Sequence, residues 1–403
     1  MTKKQTTIAL NLIILLGALS ALGAVSIDIY LPALNSMADS LNAKTSQVQM
    51  TLGIFFLGFG FGQLLFGPLS DSLGRKPVLL IGLYSYTVAS IACVLSTHID
   101  FLIASRLCQA LGGCAAAVTS RAIVRDLTSG LETTQILTSI MGVVQVAPLI
   151  APLIGGAILL FFAWQSTFVV LSVLGTLAII CAHLWINESH PQQKRQSLKL
   201  SNILLGYGET LGNINIVLLL VAEVAISVCL LTFVTGSSRL FTQYYELGPL
   251  SFGMLFAFNT SALIIGSYLQ KRLLAFKNIN WLIKAFLTVG LVGGALFIVV
   301  ALLIPENIFF TIFCIWFCLF PCIALRASYT SMGLQYVPKR TGTVSALFGA
   351  FGLGCGGIIA ITIGFIEHFT PLTMGSFILA GFVSSTVCYA VWKLYQQYSQ
   401  SST

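Results

Sequence analysis

From Gly67 to Pro77 the sequence reads GPLSDSLGRKP, a polar stretch set between two apolar runs near 47–68 and 77–97. Gly67 and Gly74 permit a tight turn. Asp71 is placed to accept helix-end N–H groups or to face a positive helix N-terminus, and Arg75 and Lys76 are expected to stay among headgroups and water. Each flanking run is long enough to cross a hydrocarbon core of about 30 Å, so the stretch reads as a turn of a polytopic membrane protein.

Outward from this turn the same alternation continues over the whole chain. Apolar runs lie near 8–33, 47–68, 77–97, 101–123, 134–161 and 164–187, and again near 213–239, 249–272, 279–303, 308–330, 341–365 and 371–396. Of the 403 residues, 57% are hydrophobic and 8% charged, too few charges for the surface of a soluble globule. The expected fold is all-α and integral to the membrane, with twelve helices in two pseudo-symmetric six-helix halves. The polar segment 188–212, containing ESHPQQKRQSLK, is the expected cytoplasmic linker between an N-terminal bundle at 1–187 and a C-terminal bundle at 213–403. MTKK with the apolar run behind it resembles a signal peptide, but that run continues into Asp28, Tyr30 and Pro32, so it reads as a retained first helix.

The net charge of +8 is topological in origin. With the N-terminus inside, the basic residues, among them Lys3, Lys4, Arg75, Lys76, Arg121, Arg125, Lys199, Arg326 and Arg340, gather at cytoplasmic helix ends and loops. Lys44 and Arg239 fall outside, and Arg106 lies within a helix. No basic stripe with interleaved aromatics is present, so nucleic acid is not an expected partner.

The Gly67–Lys76 turn resembles the signature loop of the major facilitator superfamily, which in that family latches the two halves on the cytoplasmic side. SIDIYLPALNSMA from Ser26, RAIVRD from Arg121, APLIAPLIGG from Ala147, LFAFNTSALIIGS from Leu255 and GTVSALFGAFGLG from Gly342 are similar to the bicyclomycin/chloramphenicol-resistance (Bcr/CflA) branch of drug:proton antiporters. FVTGSSRLF from Phe233 departs from it, with Ser238 and Arg239 where Ser-Pro and an apolar residue are expected. GSYLQKRL from Gly266 is a degraded counterpart of the Gly67 turn.

Among the acidic residues, Asp28 and Glu223 fall well inside helices, where an unpaired charge is costly. Counted from Asn35 and Asp100 at the outer ends, Asp28 and Arg106 share a depth of about 9–10 Å and are placed to meet across a cavity. An acid held ionised by a nearby Arg and released from it in an apolar cavity is a proton switch. The resemblance implies the same: the acid of SIDIYLP and the Arg of SRLCQALGG match positions of proton coupling and substrate recognition. Tyr30, Gln109, Glu223 and Asn259 are candidate substrate-cavity residues, although hydrogen bonding between helices explains each as well. Pro148 and Pro152, followed by Gly155 and Gly156, are expected to bend the fifth helix and let backbones approach, a pattern that the resemblance associates with antiporters.

No G-x-x-x-x-G-K-[ST] loop, paired His/Glu metal motif or Ser/His pair appears, so no nucleotide, metal, cofactor or enzymatic chemistry is expected. The stripe Cys314, Cys318 and Cys322 reads as packing. The expected function is proton-coupled efflux of drugs or small amphipathic compounds by alternating access. The alternative is export of an endogenous metabolite such as a siderophore or amino acid derivative. The expected setting is the bacterial inner membrane, with both termini cytoplasmic, and the expected partners are a small-molecule substrate, protons and membrane lipid, with the chain working as a monomer.

Overall fold

The computed structural model describes residues 10–195 and 200–401. Within them the apolar runs become twelve membrane-length helices: α1 Leu10–Ser40, α2 Thr45–Leu73, α3 Arg75–Val94, α4 Ile99–Leu127, α5 Leu131–Ile158, α6 Gln165–Trp185, α7 Ile214–Tyr244, α8 Pro249–Leu273, α9 Ile279–Leu303, α10 Ile308–Tyr336, α11 Thr341–Phe365 and α12 Pro371–Tyr398. The described residues contain no strand, as expected of a chain that must satisfy its backbone polar groups within each span. Lys3, Lys4 and Lys199 lie outside the described residues.

Three helices carry an irregularity, and each of them runs further than the sequence suggests. In α1, Pro32 imposes a tight turn at Leu31–Ala33, after which the helix resumes to Ser40. The end of α7 widens into a π-helical turn at Arg239–Tyr244. Pro321 divides α10 into Ile308–Leu319 and Cys322–Tyr336, because it removes a backbone donor from the helical ladder. Cys314, Cys318 and Cys322 flank that break, and Cys322 Sγ donates to Cys318 O at 3.3 Å.

Helices α1 to α6 pack among themselves, as do α7 to α12, and two seams join the groups: α2 on α11 and α5 on α8. Glycines permit the seams. A Cβ at Gly60 would stand 2.7 Å from the carbonyl oxygen of Ala350, and one at Gly253 would stand 2.6 Å from that of Pro152. Such close packing, not hydrophobic burial, holds helices together in lipid.

One end of the bundle, here the basic end, carries the α2–α3, α4–α5, α8–α9 and α10–α11 turns. The opposite end carries Glu246, Glu306 and Glu367. The linker is more structured than a polar loop. Leu200–Leu211 is a helix whose Leu204 and Leu205 are exposed while Thr210 is buried. Tyr207 Oη donates to Leu64 O of α2 at 3.0 Å, and Glu209 pairs with Arg340 at 2.6 Å. A cavity of about 660 Å³ opens at the basic end, lined by residues of α2, α4, α5 and α11, with Tyr207 and Arg340 at its rim.

Candidate transport path

The Gly67–Pro77 turn works through charges that the sequence leaves scattered. Gly74 adopts a φ of 102°, a region open to glycine, and the chain turns there from α2 into α3. Asp71 does not receive the first N–H groups of α3, as expected from the sequence. Glu188 does, accepting from the backbone N–H of Arg75 at 2.9 Å and of Lys76 at 3.3 Å, which places a negative charge at a positive helix end. Asp71 pairs instead with Arg75 at 2.5 Å. Arg75 does not stay in water. It is 6% exposed, with Nε donating to Asp126 at 2.8 Å and Nη1 to Ser70 Oγ at 2.7 Å. Lys76 reaches His183 O at 3.4 Å, and Gly67 faces open space. Asp126 and Glu188 were not singled out from sequence. The signals were present, Asp126 as the last residue of RAIVRD and Glu188 as the first charge after α6. These bonds all lie within 67–195, so in this conformation the loop ties the first half to itself and to the start of the linker.

Arg106 is completely buried. Its guanidinium carbon lies 4.3, 4.2 and 5.7 Å from the ring centres of Tyr30, Phe55 and Phe168. Nη1 donates to Gln109 Oε1 at 2.6 Å and to Ser26 O at 3.1 Å, while Nε and Nη2 have no hydrogen-bond partner among the described residues. Gln109 is fixed in turn by Ser90 Oγ at 2.8 Å. The aromatic faces stand where a counter-charge was expected. Asp28 makes no ion pair with Arg106, and at 4% exposure it has no cation within pairing distance among the described residues. Two residues past Ser26, Asp28 is rotated by roughly 200° around the helix, away from the face that meets Arg106. The continuation of α1 to Ser40 also sets Asp28 further from the helix end than a count from Asn35 implies. Tyr30 and Gln109 thus serve Arg106 and are fully buried.

In the second half, Glu223 receives a hydrogen bond from Arg326 Nε at 2.6 Å and one from Ser227 Oγ at 3.2 Å. Arg326 was assigned by sequence to a cytoplasmic helix end. Helix α10 continues to Tyr336 and not to about 330, which carries Arg326 deeper inside the span. Arg239, assigned to the outside, is also buried: Nη1 donates to Ile363 O and Ile366 O at 2.6 Å and Nη2 to Glu367 O at 2.9 Å, so it caps the carbonyl end of α11. Asn259 is fully buried, its Nδ2 donating to Leu255 O at 2.9 Å, which is a structural role in this conformation.

Helix α5 runs unbroken from Leu131 to Ile158 through Pro148 and Pro152. Gly155 abuts the carbonyl of Ile29 in α1 and Gly156 that of Pro249 in α8, closer than any side chain would allow. At this end Asn35 Nδ2 donates to Thr242 Oγ1 at 2.8 Å, and Gln243 Nε2 donates to Asn35 Oδ1 at 2.9 Å, joining α1 to α7. Polar bonds thus join α1 to α7 at the acidic end, beside a cavity of about 480 Å³, and the larger cavity lies at the basic end.

The sequence profile of the Major Facilitator Superfamily matches residues 14–361. The MFS-type transporter YdgK of Bacillus subtilis is 30% identical over 369 residues, 91% of each chain. A bicyclomycin resistance protein homolog of Haemophilus influenzae is 30% identical over 370 residues, 90% of this chain and 91% of its own. Among solved structures, a bacterial homolog of the human lysosomal transporter Spinster, in an inward-facing and occupied conformation, superposes with a TM-score of 0.73 at 12% identity, covering 98% of both chains. Sequence and fold agree: the chain belongs to the major facilitator superfamily, a family of membrane transporters and not of enzymes.

Proposed function

We propose that this chain exports drugs or other small amphipathic compounds in exchange for protons, by alternating access between halves 1–187 and 213–403. The observation that carries the reading is Asp28, a buried intramembrane carboxyl with no cation beside it among the described residues. A carboxyl so placed is expensive as a bare charge, so it binds or releases a proton as the surroundings open and close. The bicyclomycin-resistance relative supports drug efflux as the activity. The excess of basic residues at the Gly74 end favours a cytoplasmic orientation for that end in a bacterial inner membrane, with both termini inside. The cavity then opens to the cytoplasm, where an exporter loads. The functional unit is the monomer in lipid, since the cleft lies between the halves of one chain.

The test uses purified protein in proteoliposomes with bicyclomycin and chloramphenicol as probes. Wild type should release protons on binding and move ligand against its gradient when a pH gradient is imposed. Asp28→Asn should bind without proton release and without driven transport. Undiminished proton release from Asp28→Asn overturns the coupling, and conversion of the probe to a product overturns transport itself.

A further inference from the structure

The basic-end cavity and the Glu223–Arg326 pair lie along one face of α11. Ala346, at the cavity wall, is followed at helical spacing by Gly349, Gly352 and Gly356. Gly349 abuts Gln63, itself a cavity residue, and Gly356 abuts Phe56, so this face carries the seam with α2. Between them a Cβ at Gly352 would stand 2.8 Å from both carboxylate oxygens of Glu223 and 2.9 Å from Arg326 Nη2. The pair is therefore roughly 9 Å beyond Ala346 along the helix, about one and two-thirds turns past the cavity wall.

The two partners are not equally accessible. Glu223 is sealed: its side chain is 2% exposed, Oε1 is taken by Arg326 and Ser227, and Oε2 is buried under Gly352 with no hydrogen-bond partner. Arg326 is less enclosed, with a side chain 20% exposed. Only its Nε is engaged, and Nη1 and Nη2 have no hydrogen-bonded acceptor among the described residues. A cationic ligand would have to displace Arg326 to reach Glu223, whereas an oxyanion needs only to meet the terminal edge of the guanidinium, a geometry that Arg offers bidentately. Glu223 holds Nε and so fixes the plane of that fork.

The basic-end cavity, whose lining ends at Gln63 and Ala346 short of the pair, has the same sign. Arg75 is matched by Asp71 and Asp126, and Arg340 by Glu209. Arg121 and Arg125 also line the cavity and form no ion pair among the described residues. Unmatched cations around an entrance concentrate anions.

We propose that Arg326 is the substrate-binding cation of this carrier, taking a carboxylate or similar planar oxyanion through Nη1 and Nη2, so that the preferred substrates are anionic or zwitterionic amphiphiles. This rests on the export reading, but binding at equilibrium is separable from it.

The probes are dansylglycine and its uncharged amide, which share a fluorophore and differ in the carboxylate. Binding is followed by dansyl fluorescence on purified protein. Wild type should bind the acid at least about tenfold more tightly than the amide, the scale of one charge-assisted bidentate contact. Glu223→Gln/Arg326→Gln, which leaves no lone buried charge and is expected to fold, should lose that preference and bind acid and amide alike. Arg326→Lys should retain only part of it. Equal binding of acid and amide by wild type, or an undiminished preference in the double variant, overturns the proposal. If the amide is nonetheless exported, export stands and the anion site fails. If the preference holds and neither compound is moved, the site stands and export fails.

Discussion

Asn35 of α1 and Gln243 of α7 meet across the acidic end at 2.9 Å, and Asn35 returns a second bond to Thr242 at 2.8 Å. One amide thus satisfies both its donor and its acceptor on the opposite half. Gln243 is held from behind by Arg239 Nε at 3.1 Å, and Arg239 is anchored on the end of α11. The latch has one movable member, Asn35, and one fixed jaw.

Replacing Asn35 with Ala removes both bonds and leaves the jaw intact. At about 0.5–1.5 kcal/mol per bond, the equilibrium should move toward the state open at this end by roughly 5- to 150-fold. Spin labels at Ser40 and Glu246, in a cysteine-depleted background, should report a longer distance in the variant. An unchanged distance distribution would show that the glycine seams alone hold this end shut.

Around Gly74 the carboxylates should rank by their exposure. Asp71 is 49% exposed in its pair with Arg75 and Asp126 is 19% exposed in its own. Asp71→Asn should cost less than about 1 kcal/mol of stability, as exposed pairs do. Asp126→Asn removes the carboxylate from Arg75 Nε and from Ser189 Oγ and should cost about 1–3 kcal/mol. Glu188→Ala should cost about 1 kcal/mol as a lost helix cap. Thermal unfolding of the three variants in one detergent gives the order, and a larger loss for Asp71→Asn than for Asp126→Asn would contradict it.

What the sequence made legible divides along a physical line. Twelve spans, the turn at Gly74 and the close-packing glycines of α5 follow from length, hydropathy and local backbone chemistry. The charge partners do not, because they depend on how far a helix continues past an irregularity and on which face a residue occupies. Arg326 and Arg239 read as helix-end charges because the apolar runs stop near 330 and 239, whereas α10 continues to Tyr336 and α7, through a π turn, to Tyr244. Asp28 and Arg106 read as partners because depth is visible along a sequence and rotation is much less so. The carbonyl of Ser26, which takes the place of Asp28, carries no side-chain signature at all.

Two glycines of α5 give a paired test of the seams. A Cβ at Gly155 would collide with the carbonyl of Ile29, and backbone cannot swing aside as a flexible side chain can. Gly155→Ala should therefore force α5 off α1 at a cost of about 1–3 kcal/mol or more, and reduce transport. Gly142 has nothing within 4 Å of the same added atom. Gly142→Ala should be neutral or gain up to about 1 kcal/mol from helix propensity. Similar stability of the two variants would mean that the α1–α5 contact is dispensable.

The last prediction separates Asp28 from Arg106, which the sequence joins and the structure keeps apart. Asp28→Asn touches no bond of the Arg106 cluster, so the folded protein should lose less than about 1 kcal/mol, and removing a buried charge can offset even that. Gln109→Leu is of similar volume and takes away the acceptor that Arg106 Nη1 holds at 2.6 Å, leaving a buried guanidinium with Ser26 O and aromatic faces alone. It also removes the bond from Gln109 Nε2 to Ser90 Oγ, which keeps its own bond to Tyr86 O at 2.7 Å. A buried cation that loses a hydrogen-bond acceptor is costly, and Gln109→Leu should lose about 1–3 kcal/mol. Transport should show the reverse order. Asp28→Asn should abolish uptake of ligand driven by a pH gradient into inverted vesicles, whereas Gln109→Leu, where it folds, should keep it at reduced rate. Thermal unfolding and vesicle transport, measured on the same two preparations, decide the matter. A large stability loss in Asp28→Asn would mean that the carboxyl supports the Arg106 cluster after all, through contacts that form in another state of the transport cycle.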